Sequence, residues 1–452
     1  MRLLLVVALV ACQNSAPSPR PSEGSADPWA VAPKPPDTPV TRQARAEAAL
    51  GRVATIQPTV AKLRELAFTR EVPTRYQTTP EFQAFVHREI AKELPGEKSE
   101  ALSAAYAHVG LFAKPIDIAA VEEQAMTTQA GAYYDPSAKA FFLVMVPDSE
   151  LMLDTISAHE LTHALQDQHF DLTAYLPATG KLDQDAATAR RFVAEGDATF
   201  TMLLYALHSL IGDKISPQIL DTIRGQVASL ASQDLDALKA QAKSQASAFG
   251  MVDGDIKKSI DAMDDIPPAV LVPLLDAYMK GALVALTAYD HGGWPAVDAL
   301  YRTPPTSTEQ VLHPAEKLFP RPEPPRKVTL PASRDPELAG DVIGELLWKV
   351  YFELWKVPDA AAAAAGWGGD RMSVTRGKDG KLAARIATVW DTAADAREFA
   401  AAYQASLAAR FPGGARPDGT HPRVRVVGAK VYIVDGGDPA ALDALVRGAK
   451  LE

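Results

Sequence analysis

Residues 159–163 read His-Glu-Leu-Thr-His, and this spacing constrains the chain more than any other feature. On a helix, positions four apart lie one turn apart on the same face. His159 and His163 can therefore offer two imidazole nitrogens to one metal ion, with Glu160 beside them to accept a proton. The flanking residues Ile156-Ser157-Ala158 and Ala164-Leu165 are all uncharged. That suits a helix buried beneath the floor of a site. Pro147-Asp148-Ser149 offers an N-terminal cap, and the helix is expected from about Glu150 through Gln168.

A catalytic zinc takes three protein ligands and keeps one position open. Two residues could complete the set. Glu195 lies in Ala194-Glu195-Gly196-Asp197-Ala198, on a second helix expected over roughly Asp185 to Leu210. Gly196 there removes a side chain where that helix would approach the first closely. His169 is the rival, six positions after His163. The glycine that would turn the chain sharply between two such histidines is absent, and Gln166 stands in its place. Met251, in Gly250-Met251-Val252-Asp253-Gly254, is a weak counterpart of the methionine turn that accompanies three-histidine sites.

The string from Ala158 to Gln168, with Glu195-Gly196-Asp197-Ala198 downstream, resembles a group of prokaryotic gluzincin-like metallopeptidases and lipoproteins. The segment Pro304 to Pro314, which ends in Leu312-His313-Pro314, is similar to theirs as well. The resemblance covers about residues 100–320 and implies a zincin-like domain that holds one Zn2+ through His159, His163 and Glu195. Glu160 would then be the general base for hydrolysis of a peptide bond. Thermolysin itself has an aspartate four residues after the zinc glutamate, supporting a ligand histidine; here that position is Thr199. Asp197 would point to another side of the helix, so Asp167 is expected to give that support. His313 is the leading candidate to donate to the oxyanion, with Tyr133, Tyr134 and Tyr301 eligible by residue type. Ser307 and Gln310 have capping-box spacing just before His313. His208 reads as a core histidine. Two alternatives stand beside the peptidase: a catalytically inactive peptidase-fold lipoprotein serving as a surface binding or assembly module, and zinc-dependent hydrolysis of a non-peptide amide.

The N-terminus carries its own signals. Leu3 to Val10 is an apolar run, and Leu9-Val10-Ala11-Cys12 looks like a bacterial lipobox. Cys12 is the only cysteine, so no intrachain disulfide can form, and it is the expected lipidation site. Gln13 after it fits sorting to the outer membrane of a cell envelope. Residues 13–40 are rich in proline and serine and read as a tether. A net charge of −10 argues against a nucleic-acid partner and against a basic membrane-binding surface. No further stretch is expected to span a bilayer, so the lipid contact would run through Cys12 alone.

The fold class expected is α+β and mostly helical. It comprises a peptidase domain over 41–325, a linker at 326–340 around the proline-rich Pro320 to Pro336, and a small α+β domain over 341–452. Thr41 to about Tyr106 reads as helical with breaks at Pro58, Pro73 and Pro95. Aromatic and β-branched residues on either side of Asp135-Pro136-Ser137 predict a β-hairpin before the metal-binding helix. Its edge could pair with an extended substrate backbone. Gly292-Gly293 is expected to end a helix. In the C-terminal domain a helix over Asp341 to Trp355 precedes segments at Arg371–Val374 and Leu382–Val389, a helix near Ala393–Arg410, and a segment at Val424–Val434, a β-β-α-β order. His421 has no neighbouring metal-ligand types, so no chemistry is assigned there.

Overall fold

A computed structural model describes residues 39–129, 131–147, 149–177, 180–248, 263–416, 419–438 and 440–452. Cys12, residues 13–38 of the expected tether and Met251 lie outside them, while residues 39 and 40 belong to the first helix. The protein is α+β and mostly helical, as expected. It divides into two compact units, one of residues 1–83, 129–172 and 197–260, the other of residues 84–128, 173–196 and 261–452.

The first unit opens with α1 (Pro39–Arg64), which runs through Pro58 without a break. Ala46, Ala49, Val53, Ile56 and Val60 form a buried stripe at helical spacing, and Arg64 continues it, fully buried. α1 packs on the metal-helix candidate, which we call α5 (Glu150–Phe170). Arg52 fastens the two, bonding Asp154 at 2.6 and 2.8 Å and Glu150 at 3.0 Å. Three short strands make a small sheet in the order β1-β3-β2: β1 (Thr74–Tyr76), β2 (Ala132–Asp135) and β3 (Ala140–Leu143). The expected hairpin is β2/β3, turned where Asp135 Oδ1 accepts from the amides of Ser137 and Ala138. β1 is an addition: it begins after Pro73 and pairs parallel with β3. Cross-strand Tyr133 and Phe142 stack at 5.0 Å, as paired aromatics on one sheet face do. Ser149 Oγ caps α5 by accepting from Met152 N, which starts the helix where the sequence placed its start.

Between these elements the chain forms α2 (Thr79–Glu93), α3 (Gly96–Val109) and α4 (Ile118–Gln129). After α5 comes α6 (Gln184–Ile211), the second expected helix, and the division between the units passes through it. α7 (Pro217–Ala231) and α8 (Leu235–Ala248) also belong to the first unit.

The second unit is built on α9 (Pro268–Arg302) and a five-stranded sheet. α9 departs from helical geometry at Gly292 and Gly293, so the glycine pair kinks a continuing helix instead of ending it. It is also long and apolar enough to cross a membrane, contrary to expectation; 61% of its most apolar window is buried within the protein, as in a core helix. α6 approaches it closely at one point, around Gly196 and Gly281. A Cβ on Gly196 would overlap the carbonyl of Gly281, and one on Gly281 would overlap the carbonyl of Phe192. Gly196 thus serves a backbone contact with α9, which corrects its expected role against α5.

The sheet order is β5-β6-β7-β9-β8, all antiparallel: β5 (Glu337–Asp341), β6 (Trp367–Arg376), β7 (Leu382–Trp390), β8 (Arg423–Val427) and β9 (Lys430–Asp435). One face carries Met372, Val374, Ile386, Val431 and Ile433 against Trp348, Tyr351 and Phe352 of α10 (Gly344–Leu354) and Phe399 and Tyr403 of α11 (Ala393–Arg410). The other carries Ala387, Val389, Tyr432 and Val434 against α12 (Ala441–Gly448) and Val328 of β4 (Val328–Thr329). β10 (Lys450–Leu451) pairs with β4. Two expectations need correction. Val424–Val434 is a hairpin, turned at Gly428 with φ +62°, and Asp341 ends a strand while the helix begins at Gly344.

Candidate metal centre

α5 is buried on nearly all sides, so its polar residues must find partners inside the protein. His159 Nε2 and His163 Nε2 face each other at 3.2 Å. Two nitrogens on a tetrahedral zinc, with Zn–N bonds of about 2.0–2.1 Å, are held about 3.3–3.4 Å apart. The observed pair lies just inside that separation. Glu195 on α6 joins them: each of the three residues offers a ligand atom, and these atoms all lie within 4.8 Å of one another. Two imidazoles and a carboxylate form a donor set that zinc accepts. His169, the rival third ligand, is not in this group; its Nε2 donates to the carbonyl of Ala67 at 2.7 Å.

Glu160 is buried, and its Oε2 accepts the backbone N–H of Tyr134 at 3.0 Å. Tyr134 sits on β2, an edge strand whose other side pairs with β3. An N–H bonded to Glu160 points away from that ladder, so the open edge of β2 faces Glu160.

Support for His163 comes from a residue the sequence reading passed over. His163 Nδ1 bonds Gln166 Oε1 at 2.8 Å, and Gln166 Nε2 donates to Asp197 Oδ2 at 3.1 Å. Asp197 is in turn bonded by Arg64 at 2.7 and 3.2 Å. Gln166, Asp197 and Arg64 are all fully buried. Asp167, the expected supporter, is occupied elsewhere. It accepts from Tyr134 OH at 2.8 Å, Lys139 Nζ at 2.9 Å and Arg70 Nη2 at 3.1 Å, fastening the hairpin and the residue-70 loop to α5. Burial, and then the Asp167 carboxylate, push the Tyr134 phenol well above its usual range, so Tyr134 stays a protonated donor.

The other candidates have partners of their own. Tyr133 OH donates to Gln77 Oε1 at 2.8 Å, and buried Tyr301 packs on Tyr175 at 4.9 Å. His313 Nε2 bonds Glu345 Oε1 at 2.7 Å, and that bond raises the imidazole's pKa. Ser307 Oγ accepts from Gln310 N, but Gln310 Oε1 caps Thr306 N instead of closing the box onto Ser307. His208 is half-buried and bonds Asp213, so it is satisfied without being a core residue. His421 Nδ1 bonds the carbonyl of Gly414.

Comparison with known proteins adds little at this site. Residues 333–446 match a family described as a domain of unknown function (DUF8575). No curated protein matches. A solved structure from Chloroflexus aurantiacus, provisionally described as a hydrolase with a novel fold, aligns over 70% of this chain and 96% of its own, at 12% identity and a TM-score of 0.33. That similarity is too low to bear on fold or activity.

Proposed function

We propose that this protein is a zinc-dependent metallopeptidase of gluzincin type. The observation that carries the reading is the convergence of His159, His163 and Glu195 ligand atoms, with the two Nε2 atoms at zinc-like separation. Zinc held by these residues would lower the pKa of coordinated water toward ~7 and polarise the scissile carbonyl.

Glu160 is adjacent to a ligand without being one. Its carboxylate takes the proton of the attacking water as the new C–O bond forms, and returns it to the amine nitrogen as the C–N bond breaks. The Tyr134 amide holds Glu160 at the edge of β2. An extended peptide laid along that edge would carry its backbone past the base, which favours a peptide substrate over a compact amide. On this reading Cys12 would tether the enzyme to a bilayer of the cell envelope.

The test is incubation of the purified full chain with a mixed peptide library and mass-spectrometric reading of the products. Cleavage by the zinc-loaded wild type, absent in Glu160→Gln, is expected. A zinc-loaded wild type that cuts nothing would leave a metal-binding module and sink the enzyme.

A further inference from the structure

We infer that Gln166 is the positioning residue of this centre, fixing the tautomer of His163 through a buried chain that ends at Arg64. The inference rests on the metal reading above and adds the means by which one ligand is prepared.

The logic runs inward from the charged end. Arg64 and Asp197 are fully buried and bonded through two guanidinium nitrogens, the geometry in which a guanidinium grips an ionised carboxylate. An ionised carboxylate only accepts, so the Gln166 atom facing Asp197 must be its NH2 group. The amide cannot flip without setting two acceptors against each other. Its oxygen is therefore committed to His163, whose Nδ1 must carry the hydrogen. A neutral imidazole protonated on Nδ1 has its lone pair on Nε2, the atom that faces His159 Nε2. One ion pair thus sets an amide, the amide sets a tautomer, and the tautomer presents a ligand.

The chain also explains a misfit. Arg64 ends the buried stripe of α1, where a hydrophobe would cost far less to bury. Asp197 lies two residues beyond Glu195 on α6, so the same helix carries a ligand and the group that orients a ligand on α5.

The experiment compares the full-length wild type with Gln166→Met and Gln166→Glu. Zinc affinity is read by competition with a chromogenic chelator, the ligand field by the visible spectrum of the cobalt(II) form, and folding by circular dichroism. Gln166→Met keeps the length of the side chain and loses the acceptor; it is expected to bind zinc about 10–100-fold more weakly, with an altered cobalt spectrum. Gln166→Glu, with its buried carboxyl protonated on the side of Asp197, donates that O–H to Asp197 and offers its other oxygen to Nδ1–H, so it is expected to bind zinc more tightly than Gln166→Met does. Equal affinity in wild type and Gln166→Met would overturn the assignment, as would equal losses in both variants. If Gln166→Met does not fold, Gln166→Glu decides alone: retained affinity supports the role of the acceptor and lost affinity refutes it. A wild type that binds neither metal overturns the metal reading itself, a result distinct from either.

Discussion

The interior around α5 and the interior of the five-stranded sheet are built on opposite terms. Trp348, Trp367, Phe399 and Tyr403 fill the sheet's core with aromatic side chains in edge and stacked contact. Asp370, buried beside them, is satisfied by the amides of Ile343 and Gly344 and the indoles of Trp348 and Trp367, with no cation among these partners. α5 instead buries Asp154, His159, Glu160, Gln166 and Asp167 along one helix. Several of their partners are distant in sequence: Arg52 for Asp154, Arg64 by way of Asp197 for Gln166, and Arg70 for Asp167. Burying so many polar groups costs folding free energy unless each is matched. On the proposed reading the polar interior around α5 serves the metal centre, whereas the apolar interior of the sheet serves stability.

Four substitutions probe that contrast. Glu160→Gln should have the largest effect, lowering kcat about 10²–10⁴-fold with zinc content unchanged, read by peptide turnover and elemental analysis. A variant that keeps wild-type turnover would break the contrast at its centre. Phe399→Ala removes a fully buried ring from the sheet's core. It should cost about 3–5 kcal/mol in urea unfolding while zinc affinity in the folded protein stays within twofold.

Arg64→Met should reach both properties, costing about 3–5 kcal/mol by leaving Asp197 buried without its ion pair, and weakening zinc binding as well. Stability loss with zinc affinity unchanged would place Arg64 on the scaffold's side. The smallest effect concerns Glu309, whose carboxyl burial pushes up to about 7 despite the opposing pull of Lys317. The folded state then binds that proton more tightly than the unfolded chain, whose carboxyl titrates near 4.5. Its contribution to stability is full below pH 4.5 and is lost as pH rises through 7. The stability of Glu309→Gln should therefore rise relative to wild type between pH 4.5 and 7, and parallel pH profiles would contradict this.

Local signals were legible in the sequence and paired ones were not. Ser149, the His159/His163 spacing and the polar turn at Asp135 each act within a few residues, so α5 and the β2/β3 hairpin stand where they were expected. β1 is three residues long and exists because β3 offers it a partner, which no periodicity reveals. The hairpin within Val424–Val434 hinges on Gly428, overlooked inside an apolar run. In the sequence Gln166 stands where a sharp turn would need a glycine, and nothing local marks it further. Its significance depends on Asp197, 31 residues away, and through it on Arg64. A buried arginine at the end of an apolar helical stripe was the one hint available, since such a residue demands a carboxylate somewhere. Asp167, one turn from His163, was the natural guess by proximity, and Lys139, Arg70 and Tyr134 claim it instead.

The most direct test of the central claim is metal content per chain by elemental analysis of the purified wild type, Glu195→Ala and His169→Ala. One zinc in the wild type and in His169→Ala, lost in Glu195→Ala, is the result expected of a His159–His163–Glu195 centre. A wild type that holds no zinc after zinc is supplied, or a Glu195→Ala variant that keeps it in full, would contradict the assignment.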